Sequence, residues 1–128
     1  MEAKPQDPGE LLPLTPAVFH ILLSLVDEER HGYGVMKEVE ARTEGQVHLK
    51  PGTLYQAIKR LLDGGLIEET GVRVDPALTD ERRRYYRLTG FGQAVVSAEA
   101  ERLARLVDQA AAKQVLQRGE ADFSTFEG

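Results

Sequence analysis

Three polar residues, Thr53, Gln56 and Lys59, recur at every third position of the segment KPGTLYQAIKRLLDGG, residues 50–65. In a helix this spacing places the three side chains along one side. A glutamine amide can pair with adenine, a lysine ammonium can donate to guanine, and a threonine hydroxyl can contact a base or a phosphate. The segment is therefore a candidate for reading base edges in a nucleic-acid groove. The alternative is that these residues are the solvated side of an ordinary amphipathic helix.

Further polar side chains flank this segment. Lys50 and Tyr55 lie near the predicted helix start, where backbone N–H groups also favour a phosphate, and Arg60 directly follows Lys59. Tyr33 stands between two glycines at the start of the preceding predicted helix. Its hydroxyl is a candidate phosphate contact, and the glycines would let the backbone approach the same phosphate. Packing of Tyr33 in the core is an equal alternative.

A basic segment, ERRRYYRLT, follows at residues 81–89. The guanidinium groups of Arg82, Arg83 and Arg84 can contact a nucleic-acid backbone or enter a minor groove. Alternation along a strand sends Tyr85 and Tyr86 to opposite faces, so at least one of them is predicted to be core. The alternative for the arginine run is a charged strand edge that prevents aggregation.

Hydrophobic spacing and end signals predict the elements that position these residues. Helices are predicted at 16–28, 33–43, 51–63 and 91–117, strands at 66–69 and 84–88, and a short extended stretch at 46–49. This order predicts a mainly α protein with a small antiparallel β-wing, the winged helix-turn-helix, followed by a long C-terminal helix. A helix that fits a major groove, next to a basic ribbon, favours binding of double-stranded DNA.

The predicted domain organisation has four parts. These are a flexible N-terminal arm at 1–13, a winged helix-turn-helix domain at 14–90, a dimerisation helix at 91–118 and a disordered acidic tail at 119–128.

Charge is distributed unevenly along the chain, which has 128 residues and a formal net charge of −5. This acidity argues mildly against nucleic acid, because a DNA-binding domain is usually basic. Locally the balance reverses: residues 50–60 hold three cations and no carboxylate, and residues 71–88 hold five arginines against three acids. A bipolar molecule of this kind can bind phosphates through one face.

Composition excludes several classes of protein. The absence of cysteine removes disulfides and thiolate metal sites, and His20, His31 and His48 are not at ligand spacing, so no cofactor is expected. We predict that His20 is structural and that His31 and His48 lie at the surface. No apolar run is long enough for a membrane span, and the start does not resemble a signal peptide, which predicts a cytoplasmic protein.

The C-terminal helix carries an apolar pattern of its own. Its members, at spacings of 4, 3, 4 and 3, are Val96, Ala100, Leu103, Val107 and Ala110. This is the spacing of a seam between two helices. Because one winged helix reads only a half-site, a twofold mate would supply the second, and the sequence predicts a homodimer. A helix folded back on its own domain is the alternative.

Three blocks of the sequence resemble the hallmark blocks of the PadR family of winged-helix regulators, named for a repressor of phenolic acid decarboxylase. The blocks are HGYGVMKEVE at 31–40, PGTLYQAIKRLLDGGLIEE at 51–69 and RRRYYRLTGFG at 82–92. The resemblance covers roughly residues 14–117. It implies a homodimeric repressor that binds an inverted-repeat operator, similar to the compact subgroup with a single C-terminal helix.

The same resemblance implies which residues sit at DNA. They are Tyr33, Lys50, Thr53, Tyr55, Lys59 and Arg60, with Arg83 and Arg84 near the wing. The chain departs from the family pattern in a slightly longer wing that carries Asp75 and Asp80, which weakens the case for insertion of the wing tip into a minor groove.

Two other functions compete with regulation of transcription. A winged helix that binds protein instead of DNA would suit the net charge. An enzyme has no support, because the sequence contains no nucleophile with a paired base and no phosphate loop. A flat hydrophobic effector is a further hypothesis, in a space lined by Phe19, Leu103 and Val107, although the same residues serve equally well as core.

Overall fold

The computed structural model describes residues 7–75, 77 and 81–117. Within them a short N-terminal 3-10 helix, Pro8–Leu11, precedes four α-helices and a three-stranded antiparallel sheet. In chain order these elements are α1 (Pro16–Ser24), β1 (Arg30–His31), α2 (Gly32–Arg42), α3 (Pro51–Asp63), β2 (Ile67–Val74), β3 (Arg82–Leu88) and α4 (Gly90–Ala112). The predicted winged helix-turn-helix with a long C-terminal helix is confirmed.

Capping residues in the sequence account for the helix starts. The side chains of Thr15, His31 and Thr89 each accept a backbone N–H from the first turn of the helix that follows, at 3.2, 2.9 and 3.0 Å. Proline begins α1 and α3, where its fixed φ suits a helix and its missing N–H is not needed.

Three helices end earlier than predicted, α2 by a single residue at Arg42. α1 ends at Ser24, not at residue 28, and the Ser24 carbonyl accepts the Arg30 guanidinium at 2.6 Å. α4 ends at Ala112, not at residue 117, and Gln114 then adopts a φ of 66° that cannot continue a helix.

The sheet has the strand order β1-β3-β2, with both pairings antiparallel. The two wing strands are longer than the sequence predicts, because their pairing continues from Ile67–Leu88 out to Val74–Arg82. A register shift between Glu69 and Gly71 interrupts the ladder, and Gly71 supplies the positive φ of 139° that this bulge requires. The wing is therefore a long, twisted ribbon and not a short hairpin.

The segment at 46–49, predicted to be a short extended stretch or a small strand, does not form a strand. The edge of β3 away from β2 is paired with β1 instead, through Arg30–Tyr86 and His31–Tyr85. Leu49 is nevertheless buried, at 5% exposure, and anchors the segment before α3.

One hydrophobic core joins the helices to the sheet. Its fully buried side chains include Ile21 of α1, Val35 of α2, Leu54 of α3 and Val95 of α4. The first half of α4 thus belongs to the same core as α1 to α3. Neither α4 nor any other helix of the described residues has the length and apolarity needed to cross a membrane.

The part of the N-terminal segment that the structure describes is packed, which corrects the prediction of a flexible arm for that part. From residue 7 onward it forms the 3-10 helix, which contacts α4, while Leu11, Leu12 and Leu14 pack against the core. The prolines that suggest flexibility in the sequence are outweighed by these three leucines. The acidic tail at 119–128 and the first six residues lie outside the described residues.

A buried carboxylate, Glu99 on α4, fastens this segment. Glu99 is 2% exposed, accepts the Leu14 N–H at 3.1 Å, and binds the Arg102 guanidinium at 2.6 and 3.0 Å. The hydrogen bonds from Arg102 hold the pKa of Glu99 below its usual value, with the Leu14 N–H adding to this effect and burial opposing it.

We expect Glu99→Gln to lower the free energy of unfolding at neutral pH by about 2 kcal/mol, the loss of charged hydrogen bonds. Because the pKa of Glu99 is lower in the folded than in the unfolded state, its charge stabilises the fold above the unfolded pKa, and this contribution is lost as the pH falls through the folded pKa. The variant should therefore lose less stability on acidification, as measured by chemical denaturation across the acidic range.

The exposed Glu101 on the same helix offers a matched control, and Glu101→Gln should change stability little. Equal acid sensitivity of the wild type and the Glu99 variant would contradict this role.

Candidate nucleic-acid interface

One side of α3 is buried and the opposite side is open. The buried side consists of Leu54, Ala57, Ile58 and Leu61. Thr53, Gln56 and Lys59 are all exposed; Gln56 and Lys59 lie opposite the buried side, and Thr53 lies on a flank. Lys59 is paired with Asp63 at 3.4 Å, but its side chain is 77% exposed, so a phosphate or base can replace this carboxylate at little cost.

Tyr55, on one flank of α3, reaches the start of α2. Its ring and hydroxyl lie against the backbone of Gly32, and the residue is 48% exposed. A Cβ placed on Gly32 would lie 2.7 Å from the Tyr55 ring carbon Cζ, which is closer than any side chain tolerates. Glycine at 32 therefore leaves room for the Tyr55 ring against the start of α2.

A cleft of about 230 Å³ opens where α2, α3 and β3 meet. Its lining residues are His31, Gly32, Tyr55, Glu81, Arg82, Arg83, Arg84 and Tyr86. The floor is Tyr86, only 6% exposed, which confirms that one of the two wing tyrosines is core. Burial raises the pKa of Tyr86, with the nearby Glu69 carboxylate adding to the effect, so its hydroxyl remains protonated.

Arg82 and Arg84 lie on the same face of β3 as Tyr86, because side chains alternate along a strand. Their cross-strand neighbours, Val74 and Val72, are 42% and 40% exposed. Arg84 makes only a long contact with Glu69, 3.4 Å, and its side chain is 68% exposed. This face of the wing thus offers exposed arginines on the same side as Tyr55.

Arg83 points to the other face of β3 and does not join Arg84. Its guanidinium lies 5.6 Å from the centre of the Tyr33 ring, and the Lys37 ammonium lies 5.7 Å from the same centre. Tyr33 is half-buried between these two cations. It is therefore neither a fully buried core residue nor a fully exposed phosphate contact, the two alternatives that the sequence left open. The Arg83 Nε is buried without a hydrogen-bond partner among the described residues, so Arg83 mainly braces the wing against α2.

Lys50 and Arg60 lie at the margins of this surface. Lys50 precedes α3, is exposed, and makes no side-chain cap. Arg60 is five positions after Tyr55, which in a helix turns it to a different side, about 140° away. There it borders an apolar cavity of about 280 Å³. The cavity is lined by Leu11, Leu14, Val18, Ala57, Arg60, Leu61, Gly64 and Leu66.

Two anchoring residues escaped the sequence analysis. His31, predicted to be a surface residue, is 4% exposed, and its position directly before Gly32 was the available signal for a helix cap. Arg73 stacks on the Tyr85 ring at 3.9 Å and binds Glu29 at 2.8 Å, which holds the pKa of Glu29 below its usual value. Arg73 therefore fastens the wing to the body instead of facing outward with Arg84.

The other histidines are as predicted. His48 is exposed and contacts Glu40 at 2.8 Å, and His20 is half-buried beside Arg42. Among the described residues no group of three or more His, Asp or Glu side chains is placed to hold a metal ion.

The residues of the predicted seam on α4 fall into two groups, one buried in the chain's own core and one at the surface. Val96, 5% exposed, is part of the chain's own core, so it is unavailable to a partner helix and the prediction is corrected at this position. Ala100 is exposed, Leu103 and Ala110 are half-buried, and Val107 is 36% exposed. Past the body of the protein, α4 thus displays an apolar stripe, to which Leu106 adds a further exposed side chain.

Comparison with known proteins bears on what this surface does. The family model described as "Transcriptional regulator PadR-like family" matches residues 21–98. The chain belongs to this family. The resemblance found in the sequence blocks is thereby confirmed, and the protein is a transcriptional regulator and not an enzyme.

Individual proteins are also similar to this chain. An uncharacterized protein of Lysinibacillus sphaericus is 32% identical over 77 residues, 60% of this chain and 68% of its own length. A transcriptional regulator from Clostridium thermocellum shares 27% identity and a TM-score of 0.62, covering 77% of this chain and 92% of that one. PadR of Bacillus subtilis, solved in complex with operator DNA, has 22% identity and a TM-score of 0.56, covering 71% of this chain and 48% of that one.

The contact between Tyr55 and Gly32 generates a prediction. We expect Gly32→Ala to displace the Tyr55 ring and to weaken binding of duplex DNA about tenfold, the equivalent of one or two hydrogen bonds. Fluorescence anisotropy with a labelled duplex, selected for binding from a random-sequence library, measures the affinity.

Gly90→Ala is the matched control, because a Cβ at Gly90 meets no atom within 4 Å. Unchanged affinity of the Gly32 variant would show that the position of Tyr55 does not matter for DNA.

Proposed function

We propose that the protein is a sequence-specific repressor that binds an inverted-repeat operator as a homodimer. The observation that carries this proposal is the common cleft at which Tyr55 of α3 meets Arg82 and Arg84 of β3. A helix with exposed amide and ammonium groups thus lies beside a ribbon with exposed guanidinium groups. These are the two parts that a winged helix uses on a duplex, one for bases and one for the backbone.

Each part has a distinct role in the proposal. Gln56 and Lys59, opposite the buried side of α3, read base edges in the major groove, with Thr53 on the flank contacting a base or the adjacent phosphate. Lys50, Tyr55 and Arg84 contact the phosphate backbone. We assign these contacts from the exposure and position of the side chains. They agree with the fact that Bacillus subtilis PadR, which has a similar fold, binds operator DNA.

Four further residues hold supporting places in the proposal. Tyr33 and Arg83 make a second contact with the DNA backbone at the start of α2, where Lys37 adds an ammonium group. Arg60 lies on the flank turned away from the wing, and we assign it a phosphate further along the duplex.

The proposed dimer uses the apolar stripe of α4. Leu103, Leu106 and Val107 continue the buried side of α4 beyond the body of the protein, where a second copy can cover them. A twofold pair of winged helices would place two α3 helices on successive turns of a duplex, which matches an inverted repeat.

An effector is the remaining part of the proposal. Phe19 packs against the core, which favours the core alternative for the space first considered beside Leu103 and Val107. The apolar cavity between the N-terminal segment and α3 is a better place for a small hydrophobic ligand, because it borders α3 directly. A regulator with this role works on chromosomal DNA, in the cytoplasm.

A module that binds protein instead of DNA is the alternative, and salt dependence separates the two. We expect affinity for the selected duplex to fall steeply with salt, because cations on the protein displace counterions from phosphates. Lys59→Ala should weaken binding about tenfold, the loss of a base contact. Anisotropy titrations at several salt concentrations provide the measurement.

Lys113→Ala, which removes an exposed lysine just after α4, serves as the control. Salt-independent binding, or equal effects of the two substitutions, would favour the protein-binding alternative.

The dimer has a test of its own. We expect Leu103→Asp to convert the dimer to a monomer, because burying a carboxylate in an apolar seam costs several kcal/mol, and to lower operator affinity at least tenfold. Sedimentation velocity gives the mass. Ala104→Asp puts the same charge on the exposed side of α4 and should leave the dimer intact. A wild-type monomer that binds the operator tightly would refute the dimer.

A further inference from the structure

Asp75 directly follows β2 and is one of three acids in residues 71–88 of the wing, which carry five arginines. A carboxylate here would repel the phosphates of a duplex if it pointed outward. Its side chain is instead 27% exposed, and its Oδ2 lies 2.9 Å from Nε2 of His31, which is 44 positions earlier in the chain. Its Oδ1 accepts the backbone N–H of Ala77 at 3.0 Å. Both oxygens are thus used to hold the start of the wing loop.

The hydrogen bonds of His31 fix its role in this contact. Its Nδ1 accepts the Gly34 N–H at 2.9 Å as the cap of α2, so the ring proton lies on Nε2 and is donated to Asp75. The imidazole is 4% exposed and meets the Tyr85 ring edge-on, with 5.1 Å between ring centres. His31 is therefore held rigidly by α2 and β3 while it binds the wing.

The position of Asp75 makes this bond relevant to the arginines. Val74, the residue before Asp75, is the last partner in the ladder and pairs with Arg82. The far end of the ribbon, with Arg82 and Arg84, has no helix packed over its outer face, as the exposure of Val72 and Val74 shows. The His31–Asp75 bond consequently ties this end of the wing to the start of α2, where the packing of Arg83 on Tyr33 is a second contact. Hydrogen bonding to His31, with the Ala77 N–H adding to it, keeps the pKa of Asp75 below its usual value.

We propose that His31 is a positioning residue for DNA binding, which acts by holding the wing through Asp75 at the angle that lets Arg82 and Arg84 reach the duplex backbone together with α3. The proposal rests on the proposed DNA-binding function and adds to it a residue that itself touches no DNA. It also accounts for Asp75, since this carboxylate binds His31 and holds the wing in position.

The substitution Asp75→Ala should change DNA affinity in opposite directions, depending on whether Asp75 acts through its charge or by positioning the wing. If Asp75 acts only as a charge, Asp75→Ala removes repulsion and DNA binds more tightly. If Asp75 positions the wing, the same substitution weakens binding even though the protein becomes less acidic. We expect Asp75→Ala to weaken binding of the selected duplex about fivefold to tenfold, the loss of one charged hydrogen bond.

Glu81→Ala is the matched charge control. Glu81 is also a wing carboxylate, with a side chain 76% exposed and a contact of 3.6 Å to Arg83. Its removal should leave binding unchanged or tighten it slightly, because it takes away a negative charge and leaves the His31–Asp75 bond in place. Equal changes in affinity for the two variants would mean that only charge matters and would overturn the proposal.

A double-mutant cycle tests whether Asp75 acts through His31. Asparagine at 31 retains a side-chain cap for α2 but is too short to bind Asp75. We expect His31→Asn to weaken binding about as much as Asp75→Ala, and the double variant to be no weaker than either, since each removes the same bond. Additive losses would overturn the proposal. Thermal unfolding of each variant confirms that the body remains folded.

The outcomes also separate this proposal from the proposed function. If the wild type binds no duplex, the DNA-binding function itself fails. If the wild type binds and Lys59→Ala weakens binding while Asp75→Ala does not, DNA binding stands and the role of His31 fails. Should His31→Asn not fold, the comparison of Asp75→Ala with Glu81→Ala still decides, because both residues lie outside the core.

Discussion

The close approach of the Tyr55 ring to the backbone of Gly32 is the constraint on which the rest of the surface depends. It sets how near α3 lies to the start of α2, and β1, immediately before α2, is paired with β3. A side chain at position 32 would displace the Tyr55 ring from this position. The core side chains of α3 stabilise the fold, and this contact places Tyr55 of α3 in one cleft with Arg82 and Arg84 of the wing.

Charge is arranged to serve this surface in spite of the net charge of −5. Several acids are bound within the molecule, as Glu29 is by Arg73, Asp75 by His31 and Glu99 by Arg102. Cations on the outer side of α3 and on one face of β3 are held only by exposed, easily broken pairs. A phosphate therefore meets a local excess of positive charge, and the overall acidity does not oppose DNA binding.

The sequence predicted α3 to the residue, because strong apolar spacing between Pro51 and Gly64 leaves little choice of ends. It also predicted the order of the four α-helices and the two wing strands, and the family, but not β1 or the 3-10 helix. It did not predict the length of the wing, since exposed valines and arginines lack the alternation of a half-buried strand. The burial of His31 and the bond to Asp75 depend on contacts 44 positions apart, and spacing along a chain cannot show these. Leu11, Leu12 and Leu14 were a usable signal that the N-terminal segment packs.

The central claim is that α3 and one face of the wing contact the same duplex. The most direct measurement is two-dimensional NMR of backbone and arginine side-chain resonances as the selected duplex is added. We expect chemical-shift changes concentrated on residues 50–60, on Arg82 and Arg84 and at the start of α2. The apolar stripe of α4 should be unaffected by DNA. Shifts confined to α4, or absent from the wing while α3 responds, would contradict it.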